Sequence, residues 1–219
     1  MTEPGPRFWE VFFEVYEPLP RQGPGNRASA ARALDMCPGL PPSPAVLDLG
    51  CGSGAQTFHL VELLPGSRIT AIDSHPPSIE RMREAVAKRG LAERIRPRVG
   101  DMARPGLPPA SFDLIWSEGA LYNIGLENAL GICLGLLRSG GYLVFTEAIW
   151  RKEDPPAEVK ASFDFDYPTM GRVADVDQPQ TEPVHDRGEI AVHRHLPRLD
   201  AGGPGPDLDR CRRVRDVHH

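Results

Sequence analysis

Val46-Leu-Asp-Leu-Gly-Cys-Gly-Ser-Gly54 is the stretch on which the fold turns. Ala45–Leu49 is a short apolar run of the kind a buried strand needs, and it enters a turn with three glycines. Residues 55–64 then carry a helical pattern. Glycine at such a strand-to-helix turn lets the main chain pass close to a ligand. Gly50, Gly52 and Ala55 satisfy the loose dinucleotide pattern G-x-G-x-x-G/A. Asp73 closes the next strand about 20 residues on, where a ribose hydroxyl pair is read. Both features fit any adenosine cofactor.

Working outward, strand and helix patterns alternate. Residues 68–73 read as a second strand, and Ser74 or His75 caps a helix that ends at Gly90. Residues 94–99 read as a third strand, 112–116 as a fourth, 126–138 as a helix stopped by Gly140-Gly141, and 142–149 as a fifth strand. This alternation predicts an α/β fold, a doubly wound, mostly parallel sheet with crossover helices. Upstream, Phe8, Phe12 and Tyr16 recur at four-residue spacing, with Trp9 and Phe13 beside them. That is an amphipathic helix whose apolar stripe covers something. It ends at Pro18 and Pro20, and Asn26 caps a second helix through Met36. Residues 1–44 are therefore expected to form a helical lid over a domain at 45–172.

Asp48 discriminates among cofactors. It lies two residues before Gly50, where a carboxylate repels the pyrophosphate of a nicotinamide cofactor. S-adenosylmethionine instead carries a cationic ammonium and sulfonium, which a carboxylate favours. Asp48-Leu-Gly-Cys-Gly-Ser-Gly54 resembles the first motif of class I S-adenosylmethionine-dependent methyltransferases, a Rossmann-like family. Asp73 resembles their ribose-binding acid, Gly100-Asp101-Met102 their adenine-contacting segment, and residues 137–145 their final motif. Arg21-Gln-Gly-Pro-Gly25, Trp116-Ser-Glu-Gly-Ala-Leu-Tyr-Asn-Ile-Gly125 and Pro156-Ala-Glu-Val159 followed by Tyr167-Pro168 resemble a narrower bacterial subgroup of the small-molecule type. The likeness spans residues 8–170. It implies a cofactor site made by Asp48, Gly50, Cys51, Gly52, Ser53, Gly54, Gln56 and Thr57 on the first turn. Asp73 and Ser74, Asp101 and Met102, Ser117, and Arg21 from the lid complete it. Glu118 and Tyr122 are the expected catalytic pair, with Asn123 and Tyr16 toward the acceptor.

Several absences narrow the acceptor. No Asn-Pro-Pro-Tyr or Asp-Pro-Pro-Tyr follows the fourth strand, as in enzymes that methylate exocyclic amines of nucleobases, and no Pro-Cys pair serves attack on cytosine. The net charge of −5 argues against a broad grip on nucleic acid or an anionic membrane. No apolar run reaches transmembrane length, and the N-terminus lacks a secretory pattern. The four cysteines are scattered without a CxxC pair, which suits reduced thiols in the cytoplasm and no structural zinc. A small-molecule acceptor, no nucleic acid or membrane partner, and a metal-free reaction are thus expected.

The end of the chain has another texture. No Phe, Trp or Tyr occurs from Pro168 onward, and five of seven histidines lie at or beyond His185. His185, His193, His195 and Cys211 read as tail residues rather than metal ligands. Residues 188–196 offer one strand and nothing after them resembles a second. Class I methyltransferases, by resemblance, finish the sheet with two more strands, so incomplete C-terminal strands and an irregular, disordered tail at 173–219 are expected. A frameshift near residue 175 is one explanation of that composition and a genuine disordered tail the alternative, and either leaves the fifth strand as an exposed apolar edge.

The expected reaction is transfer of a methyl group from S-adenosylmethionine to a small nucleophile, with Glu118 assisting or orienting the acceptor. The rivals are a non-catalytic S-adenosylmethionine-binding protein and an NAD-dependent oxidoreductase. Asp48 argues against the second of these.

Overall fold

The computed structural model describes residues 5–23, 25–147, 149–150, 156–166, 171–172, 189–194 and 211–214. The alternating pattern folds as read. Strands β1 (Ala45–Leu49), β2 (Arg68–Asp73), β3 (Ile95–Val99), β4 (Phe112–Ser117) and β5 (Leu137–Glu147) are parallel and lie in the order β3-β2-β1-β4-β5. Helices α3 (Ala55–Leu63), α4 (Pro76–Lys88) and α5 (Leu126–Leu136) make the crossovers, which is how parallel neighbours are joined.

Alternation along the strands feeds two cores. Val46, Ile69, Leu114, Trp116 and Val144 pack with Phe58 and Leu60 of α3 and Ile79 and Met82 of α4. Leu47, Leu49, Ile72, Ile115, Leu143 and Phe145 pack with Leu130 and Cys133 of α5. Both faces of the sheet are covered, so its strands read as continuous apolar runs. The chain steps from β1 out to β3 and returns to place β4 on the other side of β1. That reversal opens a crevice at the carboxyl ends of β1 and β4, where open α/β sheets bind ligands.

Three expectations need correction. The fifth strand starts at Leu137, before Gly140-Gly141, because Leu137 already has an extended backbone and pairs with Phe112. The register then shifts, Gly140 sits at φ +81°, and regular pairing resumes at Tyr142. The second N-terminal helix, α2 (Arg27–Asp35), is part of the core rather than a lid. Its Ala30 and Ala33 are fully buried among the β1–α3 residues, since small side chains let the helix approach closely. Among the described N-terminal residues, α1 (Pro6–Tyr16) and the loop after it are the ones that line the crevice.

The third correction concerns the chain's end. The second pairing strand that the sequence did not suggest is present. After β6 (Ile149–Trp150), α6 (Ala157–Asp166) and β7 (Gly171–Arg172), strand β8 (Glu189–Arg194) lies antiparallel on β5. Strand β9 (Cys211–Val214) then lies antiparallel on β8, so the edge of β5 is covered. A strand ladder is made of main-chain bonds, and an open edge accepts residues that carry no aromatic signal. Residues 173–188, 195–210 and 215–219 of the expected tail lie outside the described residues.

Candidate active site

The crevice holds a cavity of about 530 Å³. Its floor is the glycine turn. Gly50 and Cys51 both donate main-chain bonds to the Ile72 carbonyl, at 2.8 and 3.0 Å, which ties the end of β1 to the end of β2. Gly50 sits at φ +73°, and a Cβ there would come within 2.3 Å of the Ala120 Cβ. Glycine is therefore required by the protein's own packing as well as by any ligand.

Asp73 joins the same floor. Its Oδ2 accepts from the Gly52 N–H at 2.8 Å and its Oδ1 from the His75 N–H at 2.9 Å. Each oxygen keeps acceptor capacity for a further donor. Asp48 lies beneath, 1% exposed, with Oδ2 accepting from the Thr57 hydroxyl at 2.5 Å. Burial pushes its carboxyl up to about 7, against the opposing pull of the Thr57 hydrogen bond.

The loop after α1 closes the opposite wall. Arg21 donates from Nη2 to Gln56 Oε1 at 3.0 Å and to Glu118 Oε2, and from Nε to the Gly23 carbonyl. Glu118 Oε1 accepts from Trp116 Nε1 at 2.9 Å. Both oxygens of this carboxylate are thus engaged, and it serves as the anchor of Arg21. Gln56 is 6% exposed and lines the cavity, and its Nε2 finds no acceptor among the described residues. A buried amide N–H of this kind calls for a partner from a ligand. Gln22 reaches over the turn, its Oε1 within 2.6 Å of where a Gly52 Cβ would sit.

Most of the residues singled out in the sequence line this one cavity. Asp48, Gly50, Cys51, Gly52, Ser53 and Gln56 come from the first turn, and Asp73 and Ser74 from the second. Asp101 and Met102 follow β3, Glu118, Tyr122 and Asn123 follow β4, and Tyr16 and Arg21 descend from the cap. Three stand behind the lining. Thr57 holds Asp48, Ser117 donates to the Leu49 carbonyl at 2.8 Å between the ends of β1 and β4, and Gly54 packs on Met82 at φ +94°. Asn123 also closes its own turn, donating to the Ala120 carbonyl at 2.9 Å.

Other lining residues escaped the sequence reading. Phe12, in the apolar stripe of the first helix, and Phe13 beside it were given no target, yet both line the cavity, and Phe13 stacks on the His75 ring at 4.0 Å. His75 was read as a helix cap, but it also pairs with Glu17 Oε1 at 2.7 Å and fastens α1 to the start of α4. Ala120 and Ile124 sit inside the segment 116–125 that carried the family likeness, where their spacing in a single 3-10 turn, Leu121–Ile124, gave no separate signal.

The residues present fit an adenosine cofactor with a cationic end. They offer a glycine floor, an acid at the second strand, a buried carboxylate below and an unpartnered amide on the wall. Residues 46–141 match the methyltransferase domain family. The uncharacterized methyltransferase YodH of Bacillus subtilis is 31% identical over 65% of this chain and 59% of its own. The nocamycin O-methyltransferase of Saccharothrix syringae is 30% identical over 88% of this chain and 67% of its own. The chain thus spans about three fifths to two thirds of the length of these relatives. A methyltransferase from Geobacter sulfurreducens, solved with S-adenosyl-L-homocysteine, shares the fold with a TM-score of 0.63 at 21% identity, over 76% of this chain and 67% of that one. With the domain match inside it, the likeness to the nocamycin enzyme places the chain in its family: it belongs to the class I S-adenosylmethionine-dependent methyltransferases.

Proposed function

We propose that the protein transfers the methyl group of S-adenosylmethionine to a small-molecule acceptor. The observation that carries this reading is the convergence of the glycine turn, Asp73 and the segment after β4 on one cavity beneath an aromatic cap. The bound cofactor supplies a methyl group already activated on a sulfonium. The protein's residues bind, orient and exclude water, so proximity and alignment supply most of the acceleration.

Their roles follow from position. Asp73 accepts from the ribose hydroxyls with the capacity left by Gly52 and His75. Asp101 and Met102 border the adenine, and Asp48 favours the cationic methionyl end. Arg21 and the unpartnered Gln56 Nε2 answer the methionyl carboxylate, with Glu118 holding Arg21 in place. Tyr16, Tyr122 and Asn123 face the acceptor. The nocamycin relative is named for an O-methyl transfer, which supports an oxygen acceptor on a small molecule. Incubation with methyl-labelled cofactor and a fractionated small-metabolite extract tests the reading. Label is expected in a low-mass product, and label only in nucleic acid or protein would refute it.

A further inference from the structure

The segments 21–25 and 116–125, far apart in sequence, meet at one carboxylate. Trp116 lies in the middle of the sheet, paired with Asp48 of β1 on one side and Val144 of β5 on the other. It is fully buried and belongs to the same core cluster as Val46, Leu114 and Val144. The neighbouring strands fix its backbone, and close packing fixes its ring. A buried indole needs an acceptor for its single N–H. Trp116 finds it in Glu118 Oε1 at 2.9 Å, just past the end of β4. One oxygen of Glu118 is thereby held by the sheet itself, and Oε2 accepts from Arg21 of the cap loop.

Gly25 shows that this spot is shaped around the pair. It sits at φ +86°, and a Cβ there would come within 2.8 Å of Glu118 Oε2 and 3.2 Å of Arg21 Nη2. Any larger residue presses on both partners. The Arg21 Nη2 that meets Glu118 also donates to Gln56 Oε1 at 3.0 Å. That bond orients the Gln56 amide and leaves its buried Nε2 as a donor. A chain of side chains thus runs from Trp116 through Glu118 to Arg21 and Gln56. Glu118, Arg21 and Gln56 line the cavity, and Trp116 stands behind them.

We propose that Trp116 is a positioning residue for the cofactor's methionyl carboxylate, acting through Glu118 and Arg21, with Gly25 keeping room for that pair. This rests on the methyl-transfer reading above. Trp116 touches no ligand. Its N–H fixes the Glu118 carboxylate, Glu118 fixes the guanidinium, and the guanidinium and the Gln56 amide receive the carboxylate. A short carbon chain joins that carboxylate to the sulfonium, so aiming the tail also aims the methyl group.

Two ligands isolate the carboxylate. They are S-adenosylhomocysteine and S-adenosyl-3-thiopropylamine, which is the same molecule without it. Trp116→Phe keeps an aromatic core side chain and removes the N–H. By calorimetry it is expected to weaken S-adenosylhomocysteine about five- to thirtyfold and to leave the amine within about twofold. In an Arg21→Met background, where the guanidinium is already gone, the same change is expected to cost no more than about twofold. Gly25→Ala, on the cap loop outside the core, is expected to reproduce the selective loss and carries the test if Trp116→Phe fails to fold. Equal weakening of both ligands would make the role merely structural and overturn the proposal. Undiminished S-adenosylhomocysteine affinity would overturn it too, as would a full effect of Trp116→Phe in the Arg21→Met background. Equal binding of the two ligands to the wild type would refute the carboxylate contact on which it depends. Failure of the wild type to bind S-adenosylhomocysteine would refute the underlying reading instead.

Discussion

The sheet side of the cavity is tied by the main chain, whereas the cap side is tied by side chains. On the floor, Gly50 and Cys51 bond to Ile72 and Gly52 bonds to Asp73, all from backbone N–H groups. Around them lie the buried side chains of β1 and β4. Above, α1 and its loop are fastened through Glu17 to His75 and Arg81, and through Arg21 to Glu118 and Gln56. The outward face of α1 is open, with Phe8, Val11 and Val15 exposed. Backbone-tied structure in a core is lost only with the fold, whereas an element held by a few side-chain pairs opens locally at small cost. The two walls divide the work accordingly. On the function proposed above, a rigid floor suits a cofactor that never varies, and a detachable cap suits the entry and release of ligands.

The largest expected effect lies on the sheet side. Burial pushes the Asp48 carboxyl up to about 7, while in the unfolded chain it ionises at about 4. Between those values the folded protein keeps a proton that the unfolded chain has lost. This group's contribution to stability therefore falls as pH rises through the window, by as much as roughly 4 kcal/mol. Asp48→Asn is expected to flatten that slope in urea melts at pH 5 and pH 8. The same slope in both proteins would mean Asp48 is not the group responsible.

On the cap side, Glu118→Gln removes the charge that holds Arg21, whose side chain is 21% exposed against 4% for Glu118. The expected cost is about 1–3 kcal/mol, concentrated in cap closure. Trypsin should cleave after Arg21 sooner than in the wild type, while the main unfolding transition moves little. A global loss of stability without faster cleavage would place Glu118 with the floor instead.

Glu17→Gln is the gentlest test. The Glu17–His75 pair is partly exposed, at 33% and 20%, and such pairs contribute at most about 1 kcal/mol. Amide exchange in α1 should quicken by up to about fivefold, with β1 unchanged. Equal changes in α1 and β1 would show that the two walls open as one unit.

The same division explains what could be read in the sequence. The floor was legible because its demands fall on residue type at fixed spacing: glycines at a strand-to-helix turn, and an acid at the end of the next strand. Asp48, Gly50, Gly52 and Asp73 announced themselves in that way. The cap was less legible because its function depends on which helix face meets the cavity. The spacing of Phe8, Phe12 and Tyr16 shows a stripe, not its target, and so Phe12 and Phe13 could not be assigned to the cavity. His75 and Glu17 lie 58 positions apart, and only the fold brings them together. The exclusion of α2 from the lid was likewise hidden, since Ala30 and Ala33 carry no strong apolar signal. At the chain's end, β9 was missed because an edge ladder asks little of its side chains.

Titration of the full chain with S-adenosylhomocysteine, compared with Asp73→Ala, tests the central claim most directly. The account predicts one binding site in the wild type. In the variant the ribose hydroxyls and the Gly52 and His75 N–H groups lose their acceptor, and affinity falls by about 1–3 kcal/mol, roughly 5- to 150-fold. Equal affinity in the two proteins would contradict it, because the cofactor would then lie somewhere other than on the floor formed by the glycine turn and Asp73.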